Sequence, residues 1–293
     1  MTNGVIRAAT AMFLVGTLAG VSGLIKDYPV YGGQAVRYLV AAVILMAVIR
    51  GRSVRLTARE WLYLIGLVVL GLVVFNVAVV EATRASGPAL VGTVLGTVPL
   101  ALALLGGRPS RRLLAGSVVV VAGATIATGL GSGNLTGLLW SLAAFVGEVS
   151  FSMLAIPLLP KLGAVRLSAY STALAVPMLA AVGLVAEGGS MLRVPTTAEA
   201  LGYAYQAVVV TVVAFFLWYS ALPKLGPGTA GLFAGLIPVG AIITGLVLGV
   251  AVPAGADLVG AGLVVAGIVV GLSARRSRGR SPAAVAVPAT PAS

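Results

Sequence analysis

The chain has 293 residues, and 9% of them are charged, against about 25% in a typical soluble domain. Together with 59% apolar residues, this composition predicts an integral membrane protein embedded in a lipid bilayer. The formal net charge of +12 resides in short segments between apolar stretches, which argues against nucleic acid as a partner.

The residue inventory also restricts the chemistry. There is no cysteine and no histidine, which excludes disulfides, the usual zinc ligand sets and Ser-His or Cys-His nucleophiles. No phosphate-binding loop of the form G-x-x-x-x-G-K-[ST] is present. The seven acidic residues are scattered, so carboxylates do not cluster as a magnesium site requires. We therefore predict that the protein is not an enzyme and holds no metal and no cofactor.

Ten apolar stretches in the sequence approach the length needed to cross a bilayer, which is about 20 residues of helix. In chain order they are Ala8–Ile25, Gly33–Ile49, Trp61–Val80, Ala89–Leu105, Leu113–Leu130, Gly137–Leu159, Leu167–Ala186, Leu201–Tyr219, Gly228–Val250 and Leu258–Ala274.

Lysines and arginines indicate the orientation of these spans, because cytoplasmic loops carry an excess of them. With the N-terminus inside, 15 of the 19 basic residues fall in inner segments and 3 in outer loops. The remaining one, Arg37, lies within the second span. This asymmetry predicts that both termini are cytoplasmic.

A thirteen-residue pattern occurs twice, at Gly87–Pro99 and Gly226–Pro238, with two prolines and three glycines in register. The duplication divides ten spans into two halves of five, and an odd number per half inverts the second half in the membrane. The sequence therefore predicts an all-α integral membrane fold of ten transmembrane helices in two inverted five-helix repeats. We predict a first repeat over residues 1–132, a second over residues 133–274, and a disordered basic, then Ala/Pro-rich tail over residues 275–293.

The repeated segments place glycines and a proline near the predicted midplane of spans four and nine. A proline bends a helix by removing a backbone hydrogen bond, and glycines four residues apart allow close helix contact. We predict a paired hinge on which the halves rock; static helix packing is the alternative. The residues concerned are Gly92, Gly96, Pro99, Gly231, Gly235 and Pro238.

Glu148 is the acidic residue placed deepest in a predicted span. Burying a charged carboxylate in a membrane is costly, and such residues often mark ion or substrate pathways. Ser152 shares its helical face, one turn away. We predict that Glu148 binds a proton or substrate; a protonated carboxyl that only fixes helix packing is the alternative.

Three further polar residues are candidates for the substrate path. Arg37 lies one turn into span two and could attract an anionic substrate group, pair with Asp27 or Glu81, or extend to water. Asn76 and Gln206, in spans three and eight, could line the path or bridge helices. Aromatic residues near predicted span ends, among them Trp218 and Tyr219, are interpreted mainly as interfacial.

From about Ala8 to Ala274, the chain resembles the drug/metabolite transporter superfamily, and within it the EamA type of ten-helix transporter. The resemblance rests on the five-plus-five layout, on the repeated segments, and on the pair Arg37-Tyr38 where the family often has Arg-Phe. It also rests on matching G-x6-G spacings at Gly116/Gly123 and Gly260/Gly267.

The resemblance implies a secondary transporter of small metabolites in the bacterial inner membrane. It further implies export of amino acids, related metabolites or toxic compounds. We expect alternating access around a midplane site, with Glu148 exchanging protons, in a monomer or a homodimer. A proton-symport uptake permease and a non-transporting receptor or scaffold remain alternatives.

Overall fold

The computed structural model describes residues 2–50, 54–129, 134–249 and 254–278. Every regular element within these ranges is helical. The α-helices are α1 (Thr2–Ser22), α2 (Val30–Ile49), α3 (Ala58–Val68), α4 (Phe75–Leu95), α5 (Val98–Leu105), α6 (Arg111–Thr128), α7 (Leu135–Met153), α8 (Leu159–Glu187), α9 (Thr197–Tyr205), α10 (Ala214–Leu225), α11 (Pro227–Gly231), α12 (Leu236–Val247) and α13 (Gly255–Arg278).

Two helices begin with the same capping arrangement at the same repeat spacing. At the start of α3, the side chains of Thr57 and Glu60 each accept a hydrogen bond from the other's backbone N–H. Thr196 and Glu199 do the same at the start of α9. Each arrangement satisfies two amide groups that have no partner within the helix, which defines where the helix begins.

Each of these helices then passes into a π-helical segment. Val69–Val74 joins α3 to α4, and Gln206–Val213 joins α9 to α10. A π-helical segment inserts residues into the helical repeat and turns the side chains that follow, and such segments often lie at functional sites. Here both segments adjoin the central cavity described below.

Within the described ranges, eight helical segments are long and apolar enough to cross a membrane, and Leu90–Leu105 is a shorter apolar segment. The eight are Val30–Ile49, Ala58–Ser86, Arg111–Thr128, Leu135–Met153, Leu159–Ser190, Thr197–Leu225, Pro227–Val247 and Gly255–Ser273. The predicted first span falls in the 21-residue helix α1, which is not among them. The chain is thus an all-helical membrane protein, while the count of ten crossings and the side of both termini stay predictions.

Some predicted boundaries differ from the structure. The predicted sixth span extends to Leu159, but α7 ends at Met153, and a non-helical stretch precedes α8. The predicted inner loop before span seven is instead helical, with a break at Gly163, whose φ of 65° is left-handed. Leu130 and Val250, predicted as span ends, lie outside the described residues.

The predicted tail also differs at its start. Helix α13 continues to Arg278, so the first four residues of the predicted disordered segment are helical. Arginine is a good helix former, which allows the last span to extend beyond its apolar part. Residues 279–293 and the predicted repeat boundary between residues 132 and 133 lie outside the described residues.

The helices pack in a pattern that is unchanged when the two halves are exchanged. Helix α2 packs on α8, and α6 packs on α13. Helix α1 contacts α10 and α12, while α7 contacts α4 and the first π-helical segment. In terms of the predicted spans, span two packs on span seven, and span five packs on span ten. Span one contacts spans eight and nine, and span six makes the equivalent contacts with spans three and four.

Candidate functional site

A central cavity of about 90 Å³ lies between the two π-helical segments and the helices packed around them. It is lined by Met12, Val15, Leu18, Arg37, Tyr38, Gly71, Leu72, Phe75, Asn76, Glu148, Phe151, Val210, Ala214, Phe215 and Trp218. Three of the five residues predicted for substrate or proton binding, namely Arg37, Asn76 and Glu148, therefore face one space. They come from α2, α4 and α7.

Helix α7 reaches this cavity because small residues allow it to approach the first π-helical segment. A Cβ atom at Gly147 would lie 2.8 Å from the carbonyl oxygen of Leu70. A Cβ atom at Gly71 would lie 2.8 Å from the Cα atom of Phe151. Glycine at both positions avoids these two collisions. Helix α7 can therefore approach closely enough for Glu148 and Phe151 to lie at the cavity wall.

Glu148 forms no ion pair or hydrogen bond with any residue that the structure describes. Its neighbours along the cavity wall are chiefly apolar and aromatic. An ionised carboxylate is poorly stabilised in such surroundings unless a ligand or a proton compensates its charge. The side chain is therefore suited to exchange a proton or to bind a cation.

Arg37 is buried, and the groups that hold its guanidinium are neutral. Its Nε donates to Thr211 Oγ1 at 2.8 Å, and its Nη1 donates to Gln34 Oε1 at 3.1 Å. The guanidinium carbon also lies 5.3 Å from the centre of the Tyr38 ring. The predicted pairings with Asp27 or Glu81 are not what the structure shows, because Glu81 bonds Tyr31 and Arg84 instead.

Thr211, which the sequence analysis missed, positions Arg37 through the geometry of the second π-helical segment. The Thr211 hydroxyl donates to the Gln206 carbonyl five residues earlier, at 3.0 Å. The same oxygen then accepts the bond from Arg37. The guanidinium is thus oriented by a π-helical turn on a different part of the chain, which no local sequence signal indicates.

Asn76 joins α4 to α2. Its Nδ2 lies 3.3 Å from the Tyr38 hydroxyl and 2.6 Å from the Leu72 carbonyl oxygen, one turn earlier in its own helix. The sequence left two roles open for Asn76, lining the substrate path or bridging helices. In the structure, it bridges two helices and also lines the cavity.

Ser152 and Gln206 are buried beside the cavity but are not among its lining residues. The Ser152 hydroxyl and both side-chain polar atoms of Gln206 have no hydrogen-bond partner among the described residues. A buried amide or hydroxyl without a partner costs about 1–3 kcal/mol. These atoms are therefore available to a bound solute or water after a small rearrangement.

Aromatic rings form one wall of the cavity, centred on Phe215. The ring of Phe215 lies 4.9 Å from that of Phe151 and 6.5 Å from that of Tyr38. Trp218 and Tyr219 are also buried here, so the interfacial role predicted for them is wrong. The predicted span ended at Tyr219, whereas α10 continues to Leu225, which moves both residues away from the helix end.

The repeated glycine–proline segments lie beside the cavity-forming helices and contain breaks in helical geometry. Pro99 follows the turn between α4 and α5, and Pro238 follows the short 3₁₀ segment Leu232–Gly235. A Cβ atom at Gly231 would lie 2.9 Å from Leu102 Cβ, and one at Gly235 would lie 2.5 Å from Val120 Cγ1. The segments thus combine broken helices with tight packing.

A network of hydrogen bonds lies at the end of the molecule predicted to face outward. Arg193 pairs with the carboxylate of Glu199, and its Nη2 donates to the Asp27 carbonyl oxygen at 3.1 Å. Tyr28 donates its hydroxyl to the Arg193 carbonyl oxygen at 2.8 Å. We call these four residues the Arg193 latch. The hydrogen bond to Glu199 raises the pKa of Arg193, so the guanidinium stays charged over any practical pH range.

Comparisons with known proteins match the fold and, by family, the second half of the chain, which contains Glu148. Residues 135–272 match the EamA-like transporter family. An uncharacterized transporter of Bacillus subtilis (strain 168), YetK, is 26% identical, and the match covers 83% of this chain and 79% of YetK.

A solved crystal structure aligns with a TM-score of 0.78, covering 94% of this chain and 99% of its own, and at 22% identity it shows the fold alone. The resemblance inferred from the sequence is confirmed, and the transporter assignment agrees with the drug/metabolite transporter superfamily. This chain is a multi-pass membrane protein, and its residues 135–272 are similar to the EamA-like transporter family.

Proposed function

We propose that the protein is a secondary active transporter that exports small metabolites by alternating access, with Glu148 as its proton-exchanging group. One observation carries the proposal: a guanidinium and a carboxylate face the same cavity, and neither has an ionic partner among the described residues. Unpaired charges in a membrane-embedded site are expensive to maintain, which favours a role in binding over a role in packing.

The charges of the cavity also suit a class of substrate. Arg37 can receive a carboxylate or another anionic group, and Glu148 can receive an ammonium group or a proton. The ring of Phe215 and its neighbours offer an apolar surface between them. Amino acids and related small metabolites carry these groups, which supports this class over large hydrophobic compounds.

The proposed movement is a rocking of two five-helix repeats, residues 1–132 and 133–274. The repeated capping boxes, the paired π-helical segments and the symmetric helix contacts support this division. Breaks near Pro99 and Pro238 lie at matching positions and are the proposed hinges. We propose the bacterial inner membrane as the location.

The first experiment compares metabolites in the medium of cells that produce the wild-type protein, Glu148→Gln or an empty vector. We expect a compound to accumulate with the wild-type protein and not with Glu148→Gln, at equal membrane levels of both proteins. Asp257→Asn is the matched control, because it removes an acidic residue that does not line the cavity.

The possible outcomes discriminate between the hypotheses. Equal accumulation with Glu148→Gln would retain the transporter and remove Glu148 from its mechanism. If no compound distinguishes the wild-type protein from the empty vector, export is contradicted, and uptake or a scaffold role gains support.

Proton coupling gives a second test, in proteoliposomes loaded with the compound so identified. A transmembrane pH gradient should drive wild-type flux, whereas flux through the Glu148→Gln variant should be lower by a factor of about 100 or more, the lower end of the range for a positioned proton-transfer group. Exchange of labelled for unlabelled substrate without a gradient should persist in the variant. A variant that still follows the pH gradient would contradict the role of Glu148.

A further inference from the structure

A second pocket, separate from the central cavity, lies at the end of α2 that is predicted to face the cytoplasm. It measures about 510 Å³ and is lined by Val48, Ile49, Arg50, Leu162, Gly163, Ala164, Val165 and Arg166. The pocket therefore lies between the last turn of α2 and the break in α8 at Gly163.

Among the described residues of this lining, the charged ones are both arginines. Neither Arg50 nor Arg166 forms an ion pair with a residue that the structure describes. In addition, Arg166 Nε is buried and has no hydrogen-bond acceptor among the described residues. Leaving a buried donor of a charged group unpaired is costly, so this nitrogen points to an acceptor supplied by a ligand.

The backbone favours an anion at the same place. Gly163 leaves the helical conformation, so the part of α8 that follows it begins a new helical run at the pocket wall. The first amide N–H groups of a helix lack partners within it and carry a partial positive charge. Arginine guanidinium groups beside such amides match the oxygens of a phosphate.

The remaining lining is apolar and belongs to membrane-crossing segments. Val48 is 61% exposed and lies one residue before the end of the segment Val30–Ile49. On the other side, the partly exposed Val165 belongs to the segment Leu159–Ser190. A ligand that meets both surfaces needs a phosphate and an adjoining hydrocarbon chain, which a phospholipid possesses and a free phosphate lacks.

We propose that this pocket binds the phosphodiester headgroup of an anionic glycerophospholipid, with Arg50 and Arg166 as its phosphate ligands and Val48 and Val165 beside the start of an acyl chain. The bound lipid would connect α2 to α8 at the break in α8. The pocket shares no lining residue with the central cavity, so the proposal does not depend on which substrate the cavity binds.

The test measures thermal unfolding of the purified full-length protein in a neutral detergent, at increasing concentrations of short-chain phosphatidylglycerol. Phosphatidylcholine of the same chain length is the second arm, and soluble glycerol phosphate is the third. We expect stabilisation by phosphatidylglycerol alone, with an apparent Kd that rises about tenfold or more in Arg166→Gln, as for loss of one charge-assisted hydrogen bond. Arg108→Gln, which removes an exposed arginine from another predicted inner loop, should leave the Kd unchanged.

Three results would overturn the proposal: equal stabilisation by phosphatidylcholine, the same stabilisation by glycerol phosphate, or an unchanged Kd in Arg166→Gln. Gel filtration establishes that each variant is folded. If Arg166→Gln does not fold, Arg50→Gln at the end of α2 provides the same comparison with the same expected loss.

Discussion

Arg37 and Thr211 form the residue contact on which the proposed anion site depends. The guanidinium of Arg37 is buried, and the Thr211 hydroxyl is the acceptor for its Nε at 2.8 Å. A buried charged donor that loses its acceptor costs more than an ordinary hydrogen bond, about 1.5–3 kcal/mol. Thr211 is therefore a positioning residue, which acts on substrate through Arg37.

Replacing Thr211 by valine keeps the volume and β-branching of the side chain but removes the hydroxyl. We expect the KM for an anionic or zwitterionic substrate to rise about tenfold or more in proteoliposome transport, since 1.4 kcal/mol corresponds to a factor of ten. The maximal rate should change less. Thr211→Ser restores the hydroxyl and should return the KM close to the wild-type value; equal KM values for both variants would contradict the positioning role.

At the scale of elements, α6 and α13 form a close helix contact, through glycines that match between the halves. A Cβ atom at Gly116 would lie 2.6 Å from the Gly267 carbonyl oxygen, and one at Gly267 would lie 2.7 Å from the Gly116 carbonyl oxygen. Gly123 and Gly260 meet in the same reciprocal way, at 2.7 and 2.5 Å. The repeated G-x6-G spacing in the sequence thus becomes two glycine contacts between antiparallel helices.

Gly116→Ala should destabilise the protein, because the added methyl group meets backbone atoms that cannot rotate away. Overpacking of this kind costs about 1–3 kcal/mol. Thermal unfolding in detergent measures the loss as a lower midpoint temperature.

Gly262→Ala is the control for this change, since a Cβ atom at Gly262 meets no atom within 4 Å. Alanine there should be neutral or stabilising by up to about 1 kcal/mol, because glycine is the weaker helix former. If Gly116→Ala and Gly262→Ala have the same unfolding midpoint, close packing of α6 on α13 does not limit stability.

For the whole molecule, alternating access requires that the central cavity can open at the predicted outer end. At the predicted outer end, the Arg193 latch joins the segment before α2 to the segment before α9. The proposed rocking of the halves must break these contacts when the central cavity opens on that side.

The absence of native cysteine makes this opening measurable with single-cysteine variants. Val210→Cys places a thiol on the cavity wall, and Arg193→Gln removes the central cation of the latch. We expect a membrane-impermeant maleimide to label Val210→Cys several-fold faster when Arg193→Gln is also present, because the cavity is more often open to the outside.

Thr197→Cys, at an exposed position near the latch, is the accessibility control. Its labelling from outside intact cells should be fast with or without Arg193→Gln, and it also reports which side of the membrane this end occupies. If Arg193→Gln leaves Val210→Cys labelling unchanged while the control labels normally, the latch does not control access.

Composition and pattern alone determined the membrane class, the helical fold and the resemblance to a transporter family, because these depend on properties that are summed along the chain. The repeated glycines could be found from the sequence because their spacing is local. Glu148 and Arg37 could be singled out because an isolated charged residue within an apolar stretch is conspicuous in the sequence itself.

Only the tertiary structure decided which of these residues meet. Arg37, Asn76 and Glu148 lie far apart in sequence and share a cavity because Gly71 and Gly147 admit α7 and because a π-helical segment directs Thr211 toward Arg37. Trp218 and Tyr219 were misplaced because the burial of an aromatic side chain depends on the helix opposite it. Contacts of this kind depend on how helices that are distant in sequence pack together. The sequence alone shows only which residues share a face of one helix.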